Sequence, residues 1–348
     1  MKKIFLWLLV FVPLAAFADL FHTSAVATFF LSAIAIIPLA KFIGDATESL
    51  AARTTAAWGG FLNVTFGNAT ELIVGIFALH AGLLEVVKAL ITGSIIGNLL
   101  LVLGTAVFVG GCRHKKQVFN RTAALASGST LFLAVIALIV PTVFPATAPS
   151  ASAAAIEQLS VIVAICMIVM YAASLIFSLG THGHLYVAEG EGKEEQWGVG
   201  RGIMVLALAT LGVIWMSNIL VGAIGPLTQS LGWTQLFIGV IIIAIVGNAA
   251  EHASAITMAV KNKTDITLQI AMGSATQMAI FVAPVLVLLS VFFVQPMNLV
   301  FNMFELVSMI LSVVIVNLVV QDGETNWLEG VQLLVAYGIM AIAFFLNP

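Results

Sequence analysis

Charge is what this chain has least of. Lys and Arg number 13 and Asp and Glu 16 in 348 residues, so 8% of positions are charged, whereas 61% are hydrophobic and the mean hydropathy is +1.14. Soluble domains carry about 25% charged residues, and that difference excludes a water-soluble globular protein. Cysteine is also scarce. Cys112 and Cys166 lie in or beside apolar runs without metal-type spacing, which excludes a disulfide framework and a thiolate metal centre and leaves two small core hydrophobes. A basic excess is missing too, since a net charge of -3 spread over short loops offers no face for nucleic acid. Nor do the apolar runs hold the Ser/Lys, paired-Asp or His-Glu-x-x-His arrangements of intramembrane hydrolases, so the chain reads as a non-enzyme with no cofactor.

What is present is apolar sequence in lengths that cross a bilayer, about 17 to 25 residues for a core of ~30 Å and a rise of ~1.5 Å per residue. Eleven such spans run near Ile4 to Phe17, Ala25 to Phe42, Ala56 to His80, Val87 to Gly110, Thr122 to Phe144, Ile156 to Leu179, Ile203 to Ile224, Leu236 to Val260, Ile266 to Val294, Leu299 to Val320 and Trp327 to Leu346. The expected class is an all-α, multi-pass integral membrane protein. With Lys2 and Lys3 on the cytoplasmic side, alternation of the spans puts Lys41, Arg53, Arg113, Lys115, Lys116, Arg121, Lys193, Arg201, Lys261 and Lys263 there as well, leaving only Lys88 outside. A miscounted span would scatter these charges, so their agreement supports the count and an external C-terminus. The first span, with Ala16-Phe17-Ala18 before Asp19, reads either as a helix or as a signal peptide; the other ten keep their orientation in both cases.

Two polar phrases interrupt this pattern: Gly67-Asn68-Ala69-Thr70-Glu71 and Gly247-Asn248-Ala249-Ala250-Glu251. A charge at mid-bilayer costs roughly 2.5 to 3.5 kcal/mol on insertion scales, so one that stays there has a partner or a task. The phrases are offset by 180 positions, and the register extends to Gly59 with Gly239, to Gly93-Ser94 with Gly273-Ser274, and at 182 to Phe119-Asn120 with Phe301-Asn302. An offset kept this far implies duplication of a five-helix unit. Five is odd, so the copies are inverted in the membrane. Inverted repeats serve secondary transporters, because exchanging the conformations of the two halves moves access from one side to the other. The expected organisation is an N-terminal hydrophobic helix over 1–22, repeats over 23–180 and 200–348, and between them an acidic cytoplasmic linker, 181–199. That linker, with His182, His184, Glu189, Glu191, Glu194 and Glu195, reads as a spacer or as a weak cation-attracting element.

Asn68 and Glu71 are three apart and so share a helix face, and Asn248 and Glu251 repeat the arrangement. The next span of each half adds Ser94 and Asn98, or Ser274 and Gln277, with Gly93 and Gly273 permitting close backbone approach. Two carboxylates among amides and hydroxyls form an all-oxygen set. Such a set suits Ca²⁺, which accepts 6 to 8 oxygens flexibly, better than Mg²⁺ or the softer Zn²⁺ and Cu⁺.

At these residues the chain resembles, over nearly its whole length, the calcium/proton exchanger family of the cation/calcium exchanger superfamily. The paired Gly-Asn-x-x-Glu signatures, His252 directly after Glu251, and the Gly93-Ser94 and Gly273-Ser274-Ala275-Thr276-Gln277 stretches carry the likeness. It implies that Glu71 and Glu251 bind Ca²⁺ and protons, with Asn68, Asn248, Ser94, Asn98, Ser274 and Gln277 around them. The sodium/calcium branch commonly has a further acid four residues after the second-half serine, where this chain has Met278, which tilts the driving ion towards protons. A sodium-driven exchanger or a broader monovalent/divalent cation:proton antiporter is the alternative, and a passive channel a more distant one. Ser94, Asn98 and Ser274 could instead be helix-interface residues; His252 either relays protons or orients Glu251; Glu305 is a second station on the ion path or a snorkelling acid, and Glu48 a more remote pathway candidate. The expected setting is a prokaryotic plasma membrane with Ca²⁺, H⁺ and lipid as partners, and a homo-oligomer is compatible with the sequence.

Overall fold

The computed structural model describes residues 2–54, 56–182 and 197–347. His184, Glu189, Glu191, Glu194 and Glu195 of the acidic linker lie outside them. Among the described residues the chain is a succession of apolar helices: α1 (Ile4–Leu20), α2 (Ala25–Ala51), α3 (Ala56–Gly67 and Ala69–His80), α4 (Leu84–Gly111), α5 (Arg121–Thr147), α6 (Ala153–Ser178), α7 (Val199–Leu231), α8 (Gln235–Gly247 and Ala249–Val260), α9 (Thr264–Ser290), α10 (Met303–Val319) and α11 (Trp327–Leu346). Seven are single helices long and apolar enough to cross a bilayer, α8 does so as a pair bent by 55°, and Ile4–Leu20, Ala69–His80 and Met303–Val319 are shorter apolar helices. The eleven expected spans each correspond to one of these. Starts are set by side-chain caps, in which Ser24, Asn120 and Ser152 accept from backbone amides three residues on and so satisfy donors that the first helical turn leaves open.

The helices form two compact units, one of residues 2–90 and 197–250, the other of 91–182 and 251–347. Each draws on both halves of the sequence. In the first unit α2 packs along α7, its sequence equivalent: the Leu50 side chain seats on Gly202 and that of Leu39 on Gly212, so as numbering rises along one helix it falls along the other. Phe30 edge-on to Trp233 and Ser49 bonded to Trp197 continue the same order to both ends. The equivalents are therefore antiparallel. In the second unit α5 and α10 repeat this relation, with Asn317 against Gly128 and Thr142 Oγ1 accepting from Phe301 N at 3.1 Å. Antiparallel equivalents are the direct physical form of an inverted repeat.

Loop contacts agree with the alternation of spans. In the second unit the α4–α5 loop pairs with the α10–α11 loop in a short ladder, Gln117 with Thr325 and Val118 with Glu324, while Asn120 N donates to Asp265 at the start of α9 at 2.7 Å. All of these belong to one side of the expected topology. At the opposite ends, Leu299 N donates to Ser160 Oγ at 3.0 Å and Thr142 Oγ1 to Leu299 O at 3.1 Å.

α4 is the most enclosed span, and glycine lets α11 reach it: a methyl at Gly330 would stand 2.7 Å from Phe108 Cα and 2.9 Å from Gly104 O, both backbone atoms that cannot swing aside. Overpacking of this kind costs about 1–3 kcal/mol. Gly330→Ala is therefore expected to lower the thermal midpoint of the purified protein in detergent, whereas Gly338→Ala on the same helix, where a methyl meets nothing within 4 Å, leaves it unchanged or raised.

Candidate ion-binding site

Both polar phrases break the helix that carries them. Asn68 (φ -103°, ψ 22°) and Asn248 (φ -89°, ψ 14°) leave helical geometry, and a new helix begins at Ala69 and at Ala249. The sequence reading placed Asn and Glu on one face of a continuous helix. In the structure the Asn instead occupies the N-cap, and Glu71 and Glu251 are the third residues of fresh helices. At that position a carboxylate meets the positive end of the helix macrodipole and the open amides of the first turn. Asparagine suits the break because its side chain competes for local backbone partners; Asn248 Nδ2 turns back to Ala244 O at 2.8 Å.

In the first unit Glu71 is 1% and Asn68 2% exposed. A small cavity beside Glu71 is lined by Ile36 of α2, Thr70, Val74, Leu90, Leu220 of α7 and Ile243, nearly all of them apolar. Gly247 completes the enclosure. A methyl there would stand 3.3 Å from Glu71 Cγ and 3.4 Å from Oε1, so the glycine of the second phrase makes room for the carboxylate of the first. Gly67, its equivalent, is exposed and has open space around it among the described residues.

In the second unit Ser94 and Asn98 of α4 are fully buried, and Asn98 Nδ2 donates to Ser274 Oγ of α9 at 3.0 Å. Asn98 itself lies in a π-helical turn of α4 at Gly97–Val102, and α9 makes such a turn at Met278–Val282. Such turns alter the register of backbone bonding and recur at functional sites. Gln277 closes the α-helical part of α9, with Gly273 part-exposed and Gly93 buried. Glu251 and His252 are part-exposed, and His252 Nε2 is buried with no hydrogen-bond partner among the described residues. Glu48 sits exposed near the end of α2. Glu305 is 0% exposed and caps α10, so it is not a snorkelling acid. Sequence reasoning missed that cap, although Asn302-Met303-Phe304-Glu305 has the spacing of a capping box.

No three His, Cys, Asp or Glu side chains cluster as a metal-holding group among the described residues. An inverted pair of membrane-embedded Gly-Asn-x-x-Glu breaks on a multi-pass helical frame defines a secondary ion transporter.

Comparison with known proteins places it more closely. The sodium/calcium exchanger protein family matches residues 24–180 and 201–346, and the chain belongs to that family. It is 48% identical to a Ca²⁺/H⁺ antiporter of Synechocystis over 100% of this chain and 98% of that protein, and 47% identical to the Ca²⁺/H⁺ antiporter ChaA of Bacillus subtilis over 96% of each. The solved structure of native YfkE, 44% identical, superimposes with a TM-score of 0.87 over 99% of this chain and 100% of its own.

The unequal glycines give a test. Gly247→Ala crowds Glu71 and is expected to reduce ion exchange while the protein still folds, as read from parallel size-exclusion and flux measurements. Gly67→Ala, with nothing to strike among the described residues, should leave the thermal midpoint unchanged or raised.

Proposed function

We propose that the chain is a Ca²⁺/H⁺ antiporter working by alternating access, with Glu71 and Glu251 as the carboxylates that Ca²⁺ and protons occupy in turn. The observation that carries the role of these two residues is their shared placement: each is the third residue of a helix that starts inside the apolar frame, directly after an asparagine break. Full-length relatives described as Ca²⁺/H⁺ antiporters support the cargo. Asn68, Asn248, Ser94, Asn98, Ser274 and Gln277 would supply neutral oxygens, and His252 would accept or orient a proton beside Glu251. The protein has no enzymatic step, needs no resident cofactor, and sits in a bacterial plasma membrane as a multi-pass chain.

Protons and Ca²⁺ compete through charge. A carboxylate withdrawn from water favours its neutral form, and a bound divalent cation reverses that preference. Ca²⁺ binding therefore releases protons, and protonation expels Ca²⁺. If only a neutralised site crosses between orientations, the two cargoes travel in opposite directions and a proton gradient drives extrusion.

In everted vesicles or proteoliposomes, an imposed pH gradient without Na⁺ is expected to drive Ca²⁺ uptake, whereas a Na⁺ gradient at equal pH is not. Glu71→Gln and Glu251→Gln should each abolish uptake while leaving expression and monodispersity intact. Wild-type exchange in either variant would remove that residue from the site, and uptake driven by Na⁺ alone would favour the sodium-coupled reading.

A further inference from the structure

The sequence holds four Asn-x-x-Glu phrases, and all four stand at helix starts: Glu71, Glu251, Glu305 and Glu329 are each the third residue after an N-terminal asparagine. Two of these interrupt the membrane frame. The other two begin α10 and α11 and form closed capping boxes, which makes each a control for the other. At α11 the box is local: Asn326 N donates to Glu329 Oε2 at 3.0 Å, Thr325 Oγ1 to the same oxygen at 2.6 Å, and Glu329 remains part-exposed. At α10 the cap is made in the same way, by Asn302 N to Glu305 Oε2 at 2.9 Å and Phe304 N to Asn302 Oδ1 at 2.9 Å. Yet Glu305 is 0% exposed, and its other oxygen accepts from Thr92 Oγ1 of α4 at 3.1 Å, across 213 positions of sequence. A cap requires neither burial nor a distant partner.

Thr92 is itself fully buried and stands two residues before Ser94. Helical residues turn by about 100° each, so Thr92 points roughly 160° away from Ser94 and roughly 120° away from Asn98 around α4, and Ser94 and Asn98, four apart, lie close to one another on the helix surface. We propose that Glu305 is a positioning residue of the ion site: by holding Thr92 it fixes the rotation of α4, and so the direction in which Ser94 and Asn98 present their oxygens. This rests on the reading that those two residues serve the exchanged cation. α4 needs such a fixture because it changes register in the π-helical turn at Gly97–Val102, just after Thr92 and at Asn98 itself. Two pins bracket the start of that turn, Thr92 to Glu305 and Asn98 Nδ2 to Ser274 Oγ at 3.0 Å. A carboxylate accepts at both oxygens, whereas glutamine in its place can accept at only one end, so one of the two donors loses its acceptor.

The test is initial Ca²⁺ uptake against Ca²⁺ concentration in proteoliposomes. Thr92→Val and Glu305→Gln are each expected to raise the half-saturating Ca²⁺ concentration about fivefold with the maximal rate held within about twofold, and the double variant to be no worse than the worse single one, as coupled residues behave. Thr92→Ser, which keeps the hydroxyl, should restore wild-type half-saturation. Asn302→Ala removes the Oδ1 that accepts from Phe304 N and spares both bonds to Glu305, so it should lower the thermal midpoint without moving half-saturation. If Glu305→Gln fails to fold, the Thr92→Val and Thr92→Ser pair decides alone. Normal half-saturation in Thr92→Val, or effects that multiply in the double variant, overturns the proposal. Glu71→Gln measured alongside separates the two levels: exchange surviving there removes the ion-site reading itself, whereas loss there with a normal Thr92→Val removes only the role of Glu305.

Discussion

A carboxylate enclosed by apolar side chains has to be met by a proton, a cation or hydrogen-bond donors, and in this chain the first provision is the backbone. Breaking a helix at Asn68 and again at Asn248 creates helix starts inside the frame, each with open amides and the positive end of a dipole next to a glutamate. The break is therefore what permits the charge. Under the proposed exchange, a cation and a proton take their places beside these two carboxylates in turn. Glu305 shows the contrary solution. Capped by Asn302 and bonded to Thr92, it has both oxygens engaged and fits a structural rather than a transporting part.

Inversion of the repeat follows from the number of helices, and its consequences run through the packing. α2 and α7 hold equivalent places in the two sequence halves yet run in opposite directions against each other, as do α5 and α10. Sequence equivalence thus becomes spatial pairing within each compact unit. The glycines of α7 that receive Leu39 and Leu50, and those that bring α11 against α4, allow this closeness where hydrophobic driving force is weak and van der Waals fit decides.

Much of this was legible in the sequence, because the bilayer enforces length, polarity and charge sidedness so strictly. Eleven apolar runs sufficed for the succession of spans, and loop contacts such as Asn120 with Asp265 agree with their alternation. The repeat was legible from Gly-Asn-x-x-Glu, and Phe119-Asn120 with Phe301-Asn302 proves to be a repeated helix cap. What hydropathy could not show was the break at Asn68 and Asn248, since an apolar run reads the same whether one helix or two cross it. The grouping into units that each take part of both halves was equally hidden, because it depends on which faces meet and not on the order of spans. The burial of Glu305 against Thr92 was hidden for the same reason: that partner is adjacent only in three dimensions.

Two near-identical phrases in one conformation need not have identical surroundings, and here they do not. Gly247 presses close to a Glu71 that is 1% exposed, while Gly67 stands open and Glu251 is part-exposed. A rigid binding protein would gain nothing from duplicating a motif and then housing the copies unequally. An exchanger does, because in an inverted repeat the environment of one copy is the environment the other adopts when access reverses. On this reading the closed neighbourhood of Glu71 is the pattern that Glu251 would take in the opposite state, with Gly67 then supplying the room that Gly247 supplies now. Under the proposed alternating access, glycine at both positions would meet that demand, as it does at Gly247 here, where a methyl would stand 3.3 Å from Glu71 Cγ.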